Sequence, residues 1–283
     1  MSLTVTLNVY SGRPNPAWTL PEQAAHELLD RIGRITTTSD LKAGVATGLG
    51  YRGFVVNGPD YGVAPTYIRA GLVDQGHVTP TLVADDRDLE KWLLSTAEGH
   101  VEDAVRAHVQ ESLGEPVATA ISKIGPVVAA CPVCHAVDAP VYNPAIWNTP
   151  SVQPNNNCYN YANNRITNTF AQPGRATGHM YTALTCPAVT AAAHSDGLVN
   201  SPNFTAPLAA GHGWYVALVI WPGQDYHWYR QDKVGCWSHK PGSTPARNTD
   251  NSGHAISDPK TANRGPYTQF CTYMITKSTV HIR

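Results

Sequence analysis

The segment Asn155-Asn156-Asn157-Cys158-Tyr159-Asn160-Tyr161-Ala162 sets a nucleophile-type side chain behind a run of asparagines. An asparagine side-chain oxygen accepts from the orphan N–H groups of a helix start, so the run predicts a helix with Cys158 in its first position. Tyr159, Ala162, Ile166 and Phe170 follow at helical spacing and predict one buried face. A cysteine so placed meets exposed N–H groups and the positive end of the helix dipole. Both favour thiolate over thiol and can hold a developing oxyanion. The polar flank predicts an accessible thiol; the bland alternative is a buried cysteine acting as a small hydrophobe.

A base is found among the 12 histidines. Gly213 to Trp221 (GWYVALVIW) is an unbroken apolar run, suited to a central strand buried on both faces. Pro222-Gly223 ends it, and His227 to Asp232 (HWYRQD) alternates again. Lys233-Val234-Gly235 is a three-residue loop with glycine at its left-handed position, and Cys236-Trp237-Ser238-His239 returns. With Asp232 closing on Cys236, Tyr229 lies opposite His239 and His227 opposite Pro241. His227 and His239 then share a face as diagonal neighbours, so one imidazole can orient the other. A four-residue loop puts Ser238 on that face instead. Gln153 and Asn157, ahead of Cys158, are candidate oxyanion donors. Trp228 and Ser238 are candidate substrate contacts. The polar loop Gly242 to Gly265 is long enough to wall a cleft, and its Asp250 and Asp258 are lesser candidates for orienting the base.

A cysteine at a helix start, a histidine opening a strand about 70 residues later and a polar residue on the next strand resemble the papain-like fold. The second histidine, on the returning strand, resembles the Cys-His-His arrangement of NlpC-type peptidases. The resemblance implies Cys158 as nucleophile, His227 as general base and acid, and His239 as orienting group. It implies a peptide, small amide or ester substrate, a thioester intermediate and no cofactor. Asn157-Cys158-Tyr159 stands where NlpC-type domains usually have Asp-Cys-Ser, and the interval between nucleophile and base is long. Acyl transfer or cyclisation by the same pair is one alternative. Another is a non-catalytic peptide- or glycan-binding module that uses Trp214, Trp228 and Trp237 as exposed aromatics.

The elements that position these residues imply an α+β fold in two domains, as 283 residues lead one to expect. Strand patterns at Leu3 to Tyr10, Tyr51 to Val56, Tyr67 to Val73 and Val78 to Val83 alternate with helix patterns at Pro21 to Ile32 and Asp85 to Ala97. They predict a small α+β accessory domain over 1–112. Residues 113–135 connect it to the papain-like hydrolase domain over 136–283. Charged residues make up only 14%, the net charge is -1 and no Lys/Arg run appears, which disfavours a nucleic-acid partner. The longest apolar run is too short for a membrane span. The N-terminus lacks a signal-peptide pattern, so a cytoplasmic location is the default expectation. Cys131-Pro132-Val133-Cys134-His135 matches the haem-attachment pattern and half of a zinc site, but neither completes itself elsewhere. The expectation is a structural or redox-labile pair and no metal. No H-E-x-x-H or G-x-S-x-G is present.

Overall fold

Thr4 and Thr6 alternate with Val5 and Leu7, and the first strand, β1 (Thr4–Leu7), buries only the apolar pair. The computed structural model describes residues 2–35, 48–74, 81–82, 87–114 and 130–283. It divides into two compact units, Met1–Val9 with Asn15–Ile124 and Tyr10–Pro14 with Gly125–Arg283. The second unit is therefore discontinuous, because it includes five residues from the connection between β1 and β2 (Ala17–Thr19).

Among the described residues of the first unit, six strands form one antiparallel sheet in the order β2-β1-β3-β4-β5-β6. Here β3 is Phe54–Gly58, β4 Val63–Arg69, β5 Leu72–Asp74 and β6 Thr81–Leu82. The predicted strand from Tyr67 to Val73 is instead a hairpin, because Ala70 and Gly71 both take positive φ and reverse the chain. Helices α1 (Glu22–Gly33), α2 (Asp88–Ser95) and α3 (Asp103–Leu113) complete the unit. Buried Glu90 on α2 accepts from the Tyr51 hydroxyl at 2.6 Å and the Gly71 N–H at 2.9 Å. The predicted strand ends at Val78 and Val83 lie outside the described residues.

The second unit is built on an antiparallel sheet in the order β10-β9-β8-β11-β7. Its strands are β7 (Val199–Ser201), β8 (Trp214–Trp221), β9 (Asp225–Gln231), β10 (Trp237–His239) and β11 (Gln269–Thr276). Every residue of β8 and β9 is buried. The apolar run does form a central strand, flanked by β9 and β11. Helices α4 (Pro144–Trp147), α5 (Cys158–Ala162) and α6 (Cys186–Ser195) join it, and α5 packs on β9 and β10. Disulfides Cys131–Cys236 and Cys186–Cys271 cross-link the unit. The architecture is α+β, with two antiparallel sheets and few helices.

Candidate active site

Asn157 caps α5 as the asparagine run predicts. Its side-chain oxygen accepts from the N–H groups of Tyr159 and Asn160, and Asn160 Oδ1 accepts from the Asn157 N–H to complete a capping box. The helix ends at Ala162, so Ile166 and Phe170 do not extend its buried face. Asparagine side chains replace the helical ladder there. Asn160 Nδ2 donates to the Arg165 carbonyl and Thr167 hydroxyl, while Asn164, Asn168 and Phe170 take positive φ.

The hairpin has the register that a three-residue loop dictates. Asp232 N–H donates to the Cys236 carbonyl at 2.9 Å, and Tyr229 pairs with His239. His227 Nε2 and His239 Nδ1 lie 2.8 Å apart, and His239 Nε2 lies 3.0 Å from the Thr249 carbonyl oxygen. That carbonyl can only accept, so His239 carries its proton on Nε2 and offers the Nδ1 lone pair. His227 must then donate through Nε2, and in the neutral ring its own lone pair is on Nδ1. A backbone carbonyl thus sets the tautomer of both rings. Tyr229 stacks on His239 with ring centroids 4.9 Å apart, and Tyr267 meets the His227 ring edge-on.

Strand β9 divides these groups between two faces. Asp225, His227 and Tyr229 project to one side; Tyr226, Trp228 and Arg230 project to the other, where α5 packs. The Trp228 ring lies 5.3 Å from that of Tyr159, and the Ser238 hydroxyl lies 2.6 Å from that of Tyr161. Both residues serve packing on the α5 side, which corrects their expected place on a substrate surface. Trp214 and Trp237 are buried as well, so these three tryptophans do not form the exposed surface expected of them. Asn157 spends its amide on the cap and on the Gly12 and Ala171 carbonyls, which removes it as an oxyanion donor. Gln153 sits in a 3-10 turn, where its carbonyl accepts from Lys240 Nζ at 2.6 Å.

Cys158 itself is fully buried, contrary to the accessible thiol expected from its polar flank. Burial drives its pKa well above the ordinary thiol value, and the nearby Asp225 adds to the rise. A backbone hydrogen bond from Trp228, the Lys240 charge and the cysteine's own N–H pull the other way. A five-residue helix has too small a dipole to offset that desolvation. Strand β10 pairs with β9 only from Tyr229 to Gln231. Trp228, the source of that backbone hydrogen bond, directly follows His227 on β9.

Two charged residues of this region were not singled out in the sequence. Asp225 is fully buried and accepts from the N–H groups of Ser11, Gly12 and Arg13 and from the Tyr267 hydroxyl. Burial raises its pKa while those donors draw it back; all four are donors, so they suit the carboxylate. Period-two alternation with His227 was the available signal. Lys240 is also buried, and its three donors reach the carbonyls of Gln153, Asn156 and Gly242. Cys131 is tied to Cys236, which dissolves the expected Cys131/Cys134 pair; Cys134 and Cys158 carry free thiols. Neither a haem thioether pair nor a zinc half-site survives that bond.

A raised folded pKa has a definite sign in stability. The Cys158 contribution is intact below its unfolded pKa of about 8.5 and is lost as pH rises through the folded value. The melting temperature is expected to fall on the alkaline side, and Cys158→Ala is expected to soften the fall. Iodoacetamide is expected to modify half-buried Cys134 well before Cys158 in the folded protein, as peptide mapping over time would register. Equal rates would contradict the burial.

No family model and no solved structure match the chain. Insoluble matrix shell protein 1 of Ruditapes philippinarum is 52% identical over 133 residues, covering 47% of this chain and 87% of that protein. With most of that relative covered at such identity, the chain belongs to the family of Insoluble matrix shell protein 1.

Proposed function

We propose that the second unit is a papain-like cysteine hydrolase, with Cys158 as nucleophile, His227 as base through Nδ1 and His239 as its orienting partner. The observation that carries the proposal is the proton order from the Thr249 carbonyl through His239 to His227, which leaves the basic lone pair on one defined nitrogen. The backbone hydrogen bond of Trp228, the residue next to His227, favours the Cys158 thiolate and adds to it.

In the proposed reaction His227 Nδ1 takes the thiol proton and the sulfur attacks an amide or ester carbonyl. A C–S bond forms, the C–N or C–O bond breaks, and the imidazolium protonates the leaving group. The Cys158 N–H, which faces the sulfur, is the proposed oxyanion donor. Water, activated by the same nitrogen, releases the acid and restores the thiol; an amine or hydroxyl in its place gives acyl transfer. The two disulfides suit an oxidising compartment better than the cytoplasm.

Incubation with a small activated aryl ester, followed by intact mass and peptide mapping, tests the proposal. The expected product is a hydroxylamine-labile acyl group on Cys158 that Cys158→Ala abolishes. Acylation that never reaches Cys158, even long after Cys134 is saturated, would sink it. A second reading, a non-catalytic matrix component, draws on the name of the shell relative and on the buried thiol. It predicts that Cys158→Ala retains every biological activity of the parent.

A further inference from the structure

The connection between β1 and β2 supplies Tyr10-Ser11-Gly12-Arg13-Pro14 to the second unit, and polar groups grip it from both sides. On one side the Ser11, Gly12 and Arg13 N–H groups donate to the Asp225 carboxylate at 2.5, 3.1 and 3.0 Å. On the other, the Gly12 carbonyl accepts from Asn157 Nδ2 at 2.8 Å, Gln172 Nε2 at 2.8 Å and the Tyr226 hydroxyl at 3.2 Å. Three donors on one carbonyl, opposite three N–H groups on one carboxylate, hold a peptide backbone irrespective of most side chains. The buried Ser11 hydroxyl has no hydrogen-bond partner among the described residues, so serine itself is not read. Two side-chain features are read. A Cβ at Gly12 would lie 2.4 Å from a Tyr226 ring carbon, so only glycine fits. The Arg13 guanidinium donates to the Gln224 carbonyl at 2.6 Å and lies 4.8 Å from the Tyr10 ring centroid.

These gripping residues adjoin the elements that carry Cys158 and His227. Asn157 precedes it in the chain, and Asp225 lies two residues ahead of His227 on the same face of β9. Tyr181 meets the Tyr226 ring edge-on and donates to Gln172 Oε1 at 2.9 Å, so it braces the same side of the grip. We infer that Tyr10–Pro14 occupies in cis a peptide-binding cleft beside Cys158, and that the cleft's ligand class is a peptide with glycine followed by a cationic side chain. The inference rests on the proposed role of Cys158 and names both the substrate class of that site and the reason its thiol is covered.

Timed iodoacetamide labelling with peptide mapping, with Cys134 as reference thiol in the same molecule, tests it. Gly12→Ala is expected to speed Cys158 labelling about tenfold or more with Cys134 unchanged, because the added methyl drives the segment off Tyr226. Arg13→Ala is expected to speed it about threefold. In the Gly12→Ala protein, the blocked peptide Tyr-Ser-Gly-Arg-Pro is expected to slow labelling again, and Tyr-Ser-Ala-Arg-Pro is not. Parental rates in both variants, or an acceleration that neither peptide reverses, overturn the inference. Should Gly12→Ala lose its cooperative melt, Arg13→Ala with the same two peptides decides alone. Failure of the hydrolase proposal looks different. Adding His227→Ala to the released protein would then leave Cys158 reactivity unchanged, while the glycine peptide still protects.

Discussion

Replacing His227 with alanine is expected to slow acylation of Cys158 by about 10²–10⁴-fold, the usual worth of a positioned general base. The variant keeps the thiol and loses the nitrogen that takes the proton. His239 acts through His227 and should show a graded pattern. His239→Phe removes the acceptor for His227 Nε2–H and frees the tautomer, for an expected loss of about tenfold to a hundredfold. His239→Asn can present a side-chain oxygen in that place, so it should recover part of the loss. Single-turnover acylation by an activated ester, followed by mass, separates these cases. A packing role alone would predict that phenylalanine does better than asparagine, the reverse order.

The largest expected stability effect falls at the other end of β9. Arg230, 1% exposed, donates through Nε and a terminal nitrogen to Asp232 Oδ1 at 3.0 and 2.8 Å. It also donates to the Tyr161 hydroxyl at 3.0 Å and to Asn164 Oδ1 at 3.0 Å, and its guanidinium lies 4.2 Å from the Tyr161 ring centroid. Arg230→Met keeps the apolar stem and leaves the Asp232 carboxylate buried without its cation. Such a change costs about 3–5 kcal/mol, whereas Arg230→Met with Asp232→Leu should recover much of that. Burial already raises the Asp232 pKa, and Arg230 opposes the rise. A carboxyl whose folded pKa lies above its unfolded value favours the fold at low pH and loses that preference as pH rises through the folded value. The Arg230→Met deficit is therefore expected to shrink as pH falls towards the carboxylate range. Urea unfolding at two pH values would expose a deficit that ignores pH, which would contradict this account.

What was legible in the sequence follows the range of the forces involved. Alternation, turn chemistry and caps act over a few residues. They gave away β8, the β9–β10 register, the Asn157 cap and the diagonal meeting of His227 with His239. The length of α5 misled because asparagine is both a cap and a competitor with the helix ladder, and only the fold decides which role wins at Asn160. Burial of Cys158, Trp228 and Ser238 misled for a related reason. A polar flank reads as solvent exposure until its amides find backbone partners inside the unit. The Cys131–Cys236 bond spans a separation of 105 residues, and no local pattern announces such a pairing. The grip of Asp225 on Ser11 spans 214 residues and is equally silent.

That last separation bears on biogenesis. The ribosome releases Gly12 long before it makes Asp225 and Tyr226, so the amino-terminal residues must wait for nearly the whole polypeptide before docking. Nascent chains stalled short of β9 should leave this stretch open to protease, and a product begun after Pro14 would assemble its sheet with one cradle unfilled.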